Sequence, residues 1–238
     1  MVKTPNLDFL ELVNGPISEN QRMSRGDTRN AVLDVAEQLF AERGFHGVSL
    51  RQIAEQGQMA VSLVQYHFGN KEALFGEVLG RRIAAINHAR LKRLDAAEHG
   101  HGEARPRLED VLRAFLEPTV LLAHDKAAGG KAYAQLIAQI SNNPQEYARK
   151  IAREHTDPIA RQTIRVLALA LPELDEEALA WGYLFSVGAM VAAISPTGRI
   201  RRLSNDRADP EDVDRILAYL VPFLTAGFEA LRRRGAKD

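Results

Sequence analysis

Cysteine is absent from all 238 residues, which excludes disulfides, thiolate metal sites and thiol nucleophiles. Net charge is absent too: 31 basic residues face 31 acidic ones. Such a chain does not coat nucleic acid indiscriminately. If it binds DNA, it must do so by local placement of a few cations and amides. There is no apolar leader after basic residues and no uninterrupted apolar run of membrane-spanning length, so we expect a cytoplasmic protein with no membrane partner. No Ser/His/Asp order, phosphate-cradling glycine loop or nucleotide motif is present, so neither enzymatic activity nor a cofactor is expected. Period-2 alternation and internal repeats are missing as well.

What remains is a helical pattern. Hydrophobic content of 45% and charged content of 26% are those of an ordinary globular protein, long enough for one large domain or a small and a medium one. Residues 1–26 are interrupted by Pro5, Gly15, Pro16 and Gly26 and read as a mobile arm. Arg22 and Arg25 could touch phosphates there, but a solvated tail is the simpler reading. A helix follows from Thr28 to Arg43, with Val32, Val35, Ala36, Leu39 and Phe40 on one stripe and Gly44 ending it. Ser49 caps a second, short helix ending near Gly57, and a third spans Val61 to Phe68 with Val64 and Phe68 on one face. Helices this short are marginal alone, so they must pack on the first. Asn70 caps a fourth helix from Lys71 to about Arg93, and the stretch from His99 to Pro106 reads as a loop.

Beyond it we expect helices over Leu108–His124 (with a bend at Pro118) and Lys131–Ser141. Further helices should open at Asn143-Pro144, at Asp157-Pro158 and behind an Asp175 cap, the last running to about Ile194. Residues 195–209 read as an Arg-rich loop, in which Arg199, Arg201, Arg202 and Arg207 make surface ion pairs. A last helix runs from about Glu211 to Arg234, kinked at Pro222. The expected fold is all-α. His99, His101 and Glu103 lie in a glycine-rich loop without rigid geometry, so no metal site is expected.

The run AVLDVAEQLFAERGFHGVSLRQIAEQ, followed by LVQYHFGNKEALF, resembles the N-terminal DNA-binding domain of the tetracycline-repressor (TetR) family of bacterial transcription regulators. The order LFAERGF, then IA, then YHFGNKEAL at fixed offsets carries the resemblance, over roughly residues 28–80. Two departures stand out: Gln58 where the family usually has Gly, with Gly57 one position earlier as a candidate compensation, and Gln65 where it often has Tyr. The resemblance implies a helix-turn-helix over residues 27–75 and a larger helical ligand-binding and dimerisation domain over 76–238. It implies base contacts from Val61, Ser62, Leu63 and Gln65, with Arg51 contributing, and backbone contacts from Tyr66, His67, Lys71 and Thr28. The chemistry fits: Arg bonds guanine bidentately, Gln bonds adenine, and small apolar groups pack on a thymine methyl.

The family's last two helices pair with their symmetry mates. The resemblance therefore implies a homodimer, with Leu217, Leu220 and Leu224 as candidates for its buried face. Together with the apolar groups Phe115, Tyr133, Ile137, Tyr147, Trp181 and Phe185, it also implies a cavity for a small hydrophobic or amphipathic effector. The function expected is a ligand-responsive repressor on a palindromic operator. The rival is a helical enzyme or scaffold in which the helix-turn-helix is only structural.

Overall fold

The computed structural model describes residues 25–100, 102 and 104–235; residues 1–24 of the expected arm, including Arg22, lie outside them, as do His101 and Glu103, whereas Arg25 and Gly26 already belong to the first helix. Among the described residues every regular element is a helix, as the missing period-2 pattern requires. The first helix, α1 (Arg25–Arg43), ends where Gly44 turns to a φ of +71° and donates its amide to the Phe40 carbonyl at 2.9 Å. The next, α2 (Leu50–Gln56), begins at a complete capping box. Ser49 Oγ accepts from the Gln52 amide at 3.2 Å while the Ser49 amide donates back to Gln52 Oε1 at 2.8 Å.

The turn to α3 (Val61–Phe68) is made by Gln58 itself, at a φ of +52°. Gly57 stays at −82° and does not compensate. Asn70 then caps α4 (Lys71–His99), accepting from the Ala73 amide at 2.8 Å.

α1 supplies the floor for α2 and α3, burying Val32, Ala36, Leu39 and Phe40 against Ile53, Val64 and Phe68. Phe75 of α4 meets the Phe40 ring edge-on at 4.9 Å. Fully burying side chains of this kind stabilises by roughly 1.5–3 kcal/mol each. Because α4 is continuous through residue 75 for 29 residues, the boundary expected there falls inside one rigid helix.

The remaining body surrounds α5 (Leu108–His124), which packs on α4 along one side and on the last helix along another. α6 (Gly130–Ile140) starts so close to the end of α5 that a Cβ at Gly130 would meet the Leu122 carbonyl oxygen at 2.0 Å. α7 (Glu146–Ile151) begins two residues after the expected Asn143-Pro144 start. Asn143 Oδ1 is used on the Gln145 amide at 2.9 Å, making a turn instead of a cap. Nor does Asp157-Pro158 open a fresh helix. The chain runs from α7 through a wide π turn, Ala152–Thr156, into α8 (Asp157–Ala170), whose first turn tolerates Pro158.

α9 (Glu176–Ile194) carries the expected Asp175 cap, accepting from the Ala178 amide at 2.7 Å. Contrary to the expectation for this stretch, α9 is long and apolar enough to cross a membrane on length and composition alone. The Arg-rich segment contains a short helix, α10 (Arg199–Leu203), in which Arg201 pairs with Asp209 at 3.0 Å and Arg202 donates to the Thr197 carbonyl. Last comes α11 (Val213–Gly235). Its Phe228 ring lies so close to Gly182 of α9 that a Cβ there would sit 2.3 Å from it.

Candidate nucleic-acid interface and core cavity

On α3, helical geometry divides the side chains. Val64 and Phe68 point down and are buried, while Ser62, Gln65 and Tyr66 stand out and Val61, Leu63 and His67 are half-buried. The exposed group offers an amide, a hydroxyl and a phenol along one side of an eight-residue helix. That is the size and chemistry a major groove accepts. Thr28 is half-buried at the start of α1.

Arg51 lies on the exposed side of α2, where Nε donates to Glu55 Oε1 at 2.8 Å. That bond is the main reason its pKa is held above the usual guanidinium value. Lys71 is drawn inward. Its Nζ donates to the Phe45 carbonyl at 3.0 Å and lies 4.3 Å from the centre of the Phe45 ring, so it locks α4 to the turn after α1.

Behind this head is a set of ion pairs that no sequence motif marks. Glu37 of α1 is buried and bonds Arg81 Nη2 at 2.6 Å and Arg82 Nε at 2.9 Å, while Asp34 takes Arg81 Nη1 at 2.7 Å. Arg29 adds a pair with Glu77. The head is also tied to the body: Tyr147 of α7 stacks on Phe45 at 4.1 Å, and Gln139 donates to the Ala41 carbonyl at 3.1 Å.

Within the body a cavity of about 240 Å³ lies between α4, α5, α6, α7, α8 and α9. Of the aromatic and aliphatic residues expected there, Phe115, Tyr133 and Ile137 line it. Tyr147 does not; it stacks on the reading head and lines instead an open cleft of about 670 Å³ between α1, α4 and α7. Trp181 and Phe185 are turned to the outside of α9, 50% and 58% exposed and stacked on each other at 5.6 Å. The reason is helical phase: residues 182, 186 and 190 face the core, which puts 181 and 185 on the opposite side.

The same correction applies to α11. Leu217, Leu220 and Leu224 are buried inside the protomer, Leu220 being only 8% exposed, whereas Tyr219 and the 72% exposed Phe223 face outward.

Sequence reasoning missed the most polar wall of the cavity, Arg90. It sits on the stripe Ile83, Ile86, Arg90 of α4, where an arginine at a core position is the available signal. Its Nε donates to the Phe115 carbonyl at 2.9 Å and Nη2 to Thr119 Oγ1 at 2.7 Å. Its guanidinium carbon lies 4.4 Å from the centre of the Phe115 ring. Burial lowers its pKa. Burial likewise pushes the Tyr133 phenol up to about 12, so that group stays a neutral hydrogen-bond donor.

Residues 32–78 match the family model for bacterial regulatory proteins of the tetR family, and residues 113–227 match a tetracyclin repressor-like C-terminal domain. The chain is 38% identical over 72 residues to the HTH-type transcriptional repressor NicS of Pseudomonas putida, covering 30% of this chain and 34% of that one. It therefore spans about a third of that relative's length. A TetR-like transcriptional regulator from Rhodococcus sp. RHA1 superimposes with a TM-score of 0.61 at 19% identity, over 87% of this chain and 99% of that one. The fatty acid degradation regulator FadR from Bacillus halodurans does so with a TM-score of 0.58 at 17% identity, over 81% and 97%.

Proposed function

Because the chain belongs to the tetracycline-repressor family of bacterial regulatory proteins, we propose that it is a cytoplasmic, sequence-specific transcriptional repressor. It binds a palindromic operator as a homodimer and releases it when a small hydrophobic or amphipathic effector fills the core cavity. The observation that carries the reading is the outer face of α3, where Ser62, Gln65 and Tyr66 are exposed over a buried Val64 and Phe68. In this reading Gln65 and its neighbours specify bases, while Thr28, Tyr66, His67 and Lys71 fix register on phosphates. Lys71 serves from its bond to Phe45 with its remaining protons.

Dimerisation follows from the outward faces of α9 and α11, where Trp181, Leu184, Phe185, Tyr219 and Phe223 leave an apolar surface uncovered. An isologous two-fold seam there would present two α3 helices to two half-sites.

α4 supplies the link between ligand and DNA. Lys71 abuts the head and Arg90 the cavity, about 28 Å apart along one helix at ~1.5 Å per residue. The arginine–carboxylate clamp to α1 makes the head follow α4. An effector acts only if it prefers one separation of the heads, since equal affinity for both states shifts nothing. The apolar walls favour an amphipathic molecule; the neighbour from Bacillus halodurans carries the description of a fatty acid degradation regulator.

Selection from a random duplex library tests the reading. It should return a pseudo-palindrome whose half-sites respond to substitution at Gln65, and a library that shows no enrichment would refute it.

A further inference from the structure

We propose that the effector is a small amphipathic monoanion whose carboxylate pairs with Arg90 at the polar end of the cavity, its apolar part lying against Ile83, Ile86 and Ile137. The inference deepens the effector-responsive reading and rests on it.

Arg90 is only 6% exposed. A buried charge is normally paired, because the protein does not repay its lost hydration otherwise. Arg90 is not paired. Its contacts are the Phe115 carbonyl, Thr119 Oγ1, Asn87 Oδ1 at 3.5 Å and the Met190 sulfur at 3.8 Å. All of these are neutral, and no carboxylate among the described residues forms an ion pair with it. The clamp arginines just over two turns earlier make the contrast, for Arg81 and Arg82 both reach Glu37.

Two further donors, Tyr133 and Tyr183, line the same cavity, and the Tyr183 ring lies 5.1 Å from the Phe115 ring over which Arg90 sits. Among the described residues neither phenol makes a hydrogen bond. A buried guanidinium with one N–H of Nη1 left over and two phenols around one apolar cavity form a receptor for a carboxylate, held by charge-assisted hydrogen bonds. The one carboxylate among the lining residues is Asp157, and it is not among the partners of Arg90.

Size narrows the class. The cavity of about 240 Å³ lies just below the ~300–1,000 Å³ of drug-sized ligand sites, which suits a medium-chain aliphatic acid or an aromatic acid. The strut-like bonds from Arg90 to Phe115 and Thr119 explain its orientation, but they leave the charge unneutralised.

The test compares three probes with one chain and three heads, octanoate, octan-1-ol and octylamine, by calorimetric titration of the full chain. Operator affinity is followed in parallel. Octanoate should bind more tightly than the alcohol by about tenfold or more, the worth of a hydrogen bond to a charged group, and the amine should not bind. Arg90→Met, which replaces the charge by an apolar side chain of similar length, should invert the order so that the alcohol wins. Arg90→Lys should keep part of the preference for the acid.

An alcohol that matches the acid in the unsubstituted protein overturns the proposal, as does binding of neither. So does an Arg90→Met protein with an unchanged acid-to-alcohol ratio, which would make Arg90 a strut alone. If Arg90→Met fails to fold, the ratio in the unsubstituted protein decides. Operator release by the alcohol without any preference for the acid would leave the repressor reading standing. Tight octanoate binding with no change in operator affinity would do the reverse.

Discussion

The reading head and the helical body use the same material in opposite ways. In residues 27–75 the interior is apolar and closely packed, with Val32, Phe40, Ile53, Val64 and Phe75 fully buried, and the distinctive chemistry stands outside on α3. In the body the outside is apolar, at Trp181, Phe185 and Phe223, and the distinctive chemistry is inside, at Arg90 and Tyr133. A surface reader needs a rigid platform, and close packing supplies it. The body instead keeps a cavity of about 240 Å³ walled in part by the buried Arg90. The joint between them is built from both kinds of interaction: the buried Glu37 clamp, and the Phe45–Tyr147 stack.

The contrast breaks most visibly at the outer face of the body. Phe185→Asp combined with Phe223→Asp should convert a dimer to a folded monomer in sedimentation at micromolar concentration, since buried aromatic anchors at such seams cost 2 kcal/mol or more each, in order of magnitude. Leu220→Arg should instead unfold the protein, because Leu220 is buried within the protomer. If Leu220→Arg gave a well-folded monomer, the assignment of faces would be wrong.

At the joint, Glu37→Gln removes the carboxylate that Arg82 pairs with and one of the two that hold Arg81. It should lower stability by about 3 kcal/mol, the low end for a broken buried pair, because both arginines keep some solvent; thermal unfolding checks this. On the head, Gln65→Ala should relax preference at one base pair per half-site by roughly 1–3 kcal/mol and leave stability untouched. Lys71→Ala should weaken all duplexes alike and also cost stability through the lost Phe45 contact. The smallest effect is expected in the turn. Gln58 holds a φ of +52°, so Gln58→Gly should raise stability by about 0.5–1 kcal/mol as relief of left-handed strain exceeds the entropy Gly loses.

These regions also differ in what the sequence tells. The head was legible because its helices are short, local and closed by signals that act within a few residues. Ser49, Gly44 and Asn70 each fulfil in the structure the cap or stop expected of them. The turn at Gln58 was not, since nothing in the sequence says which of two adjacent residues takes the positive φ.

In the body the helices were legible and their phases were not. α9 is apolar all round, so no stripe distinguishes Trp181 from Gly182, and only packing against Phe228 shows which faces in. α11 has a clear stripe, but a stripe says that a face is buried without saying whether by the protomer or by a second copy. Arg90 is an arginine on an isoleucine stripe, which sequence reading passes over because its partners, Phe115 and Thr119, come from 25 and 29 residues away.

The central claim is that the outside of α3 reads DNA, and salt-titrated fluorescence anisotropy tests it most directly. A labelled duplex from the region upstream of the protein's own gene would be compared with a scrambled duplex of equal length. The account predicts preference for the natural duplex at every salt concentration, with log affinity falling linearly in log salt at about 0.9 per phosphate neutralised. Equal, salt-insensitive binding to the two duplexes, or none, would contradict it.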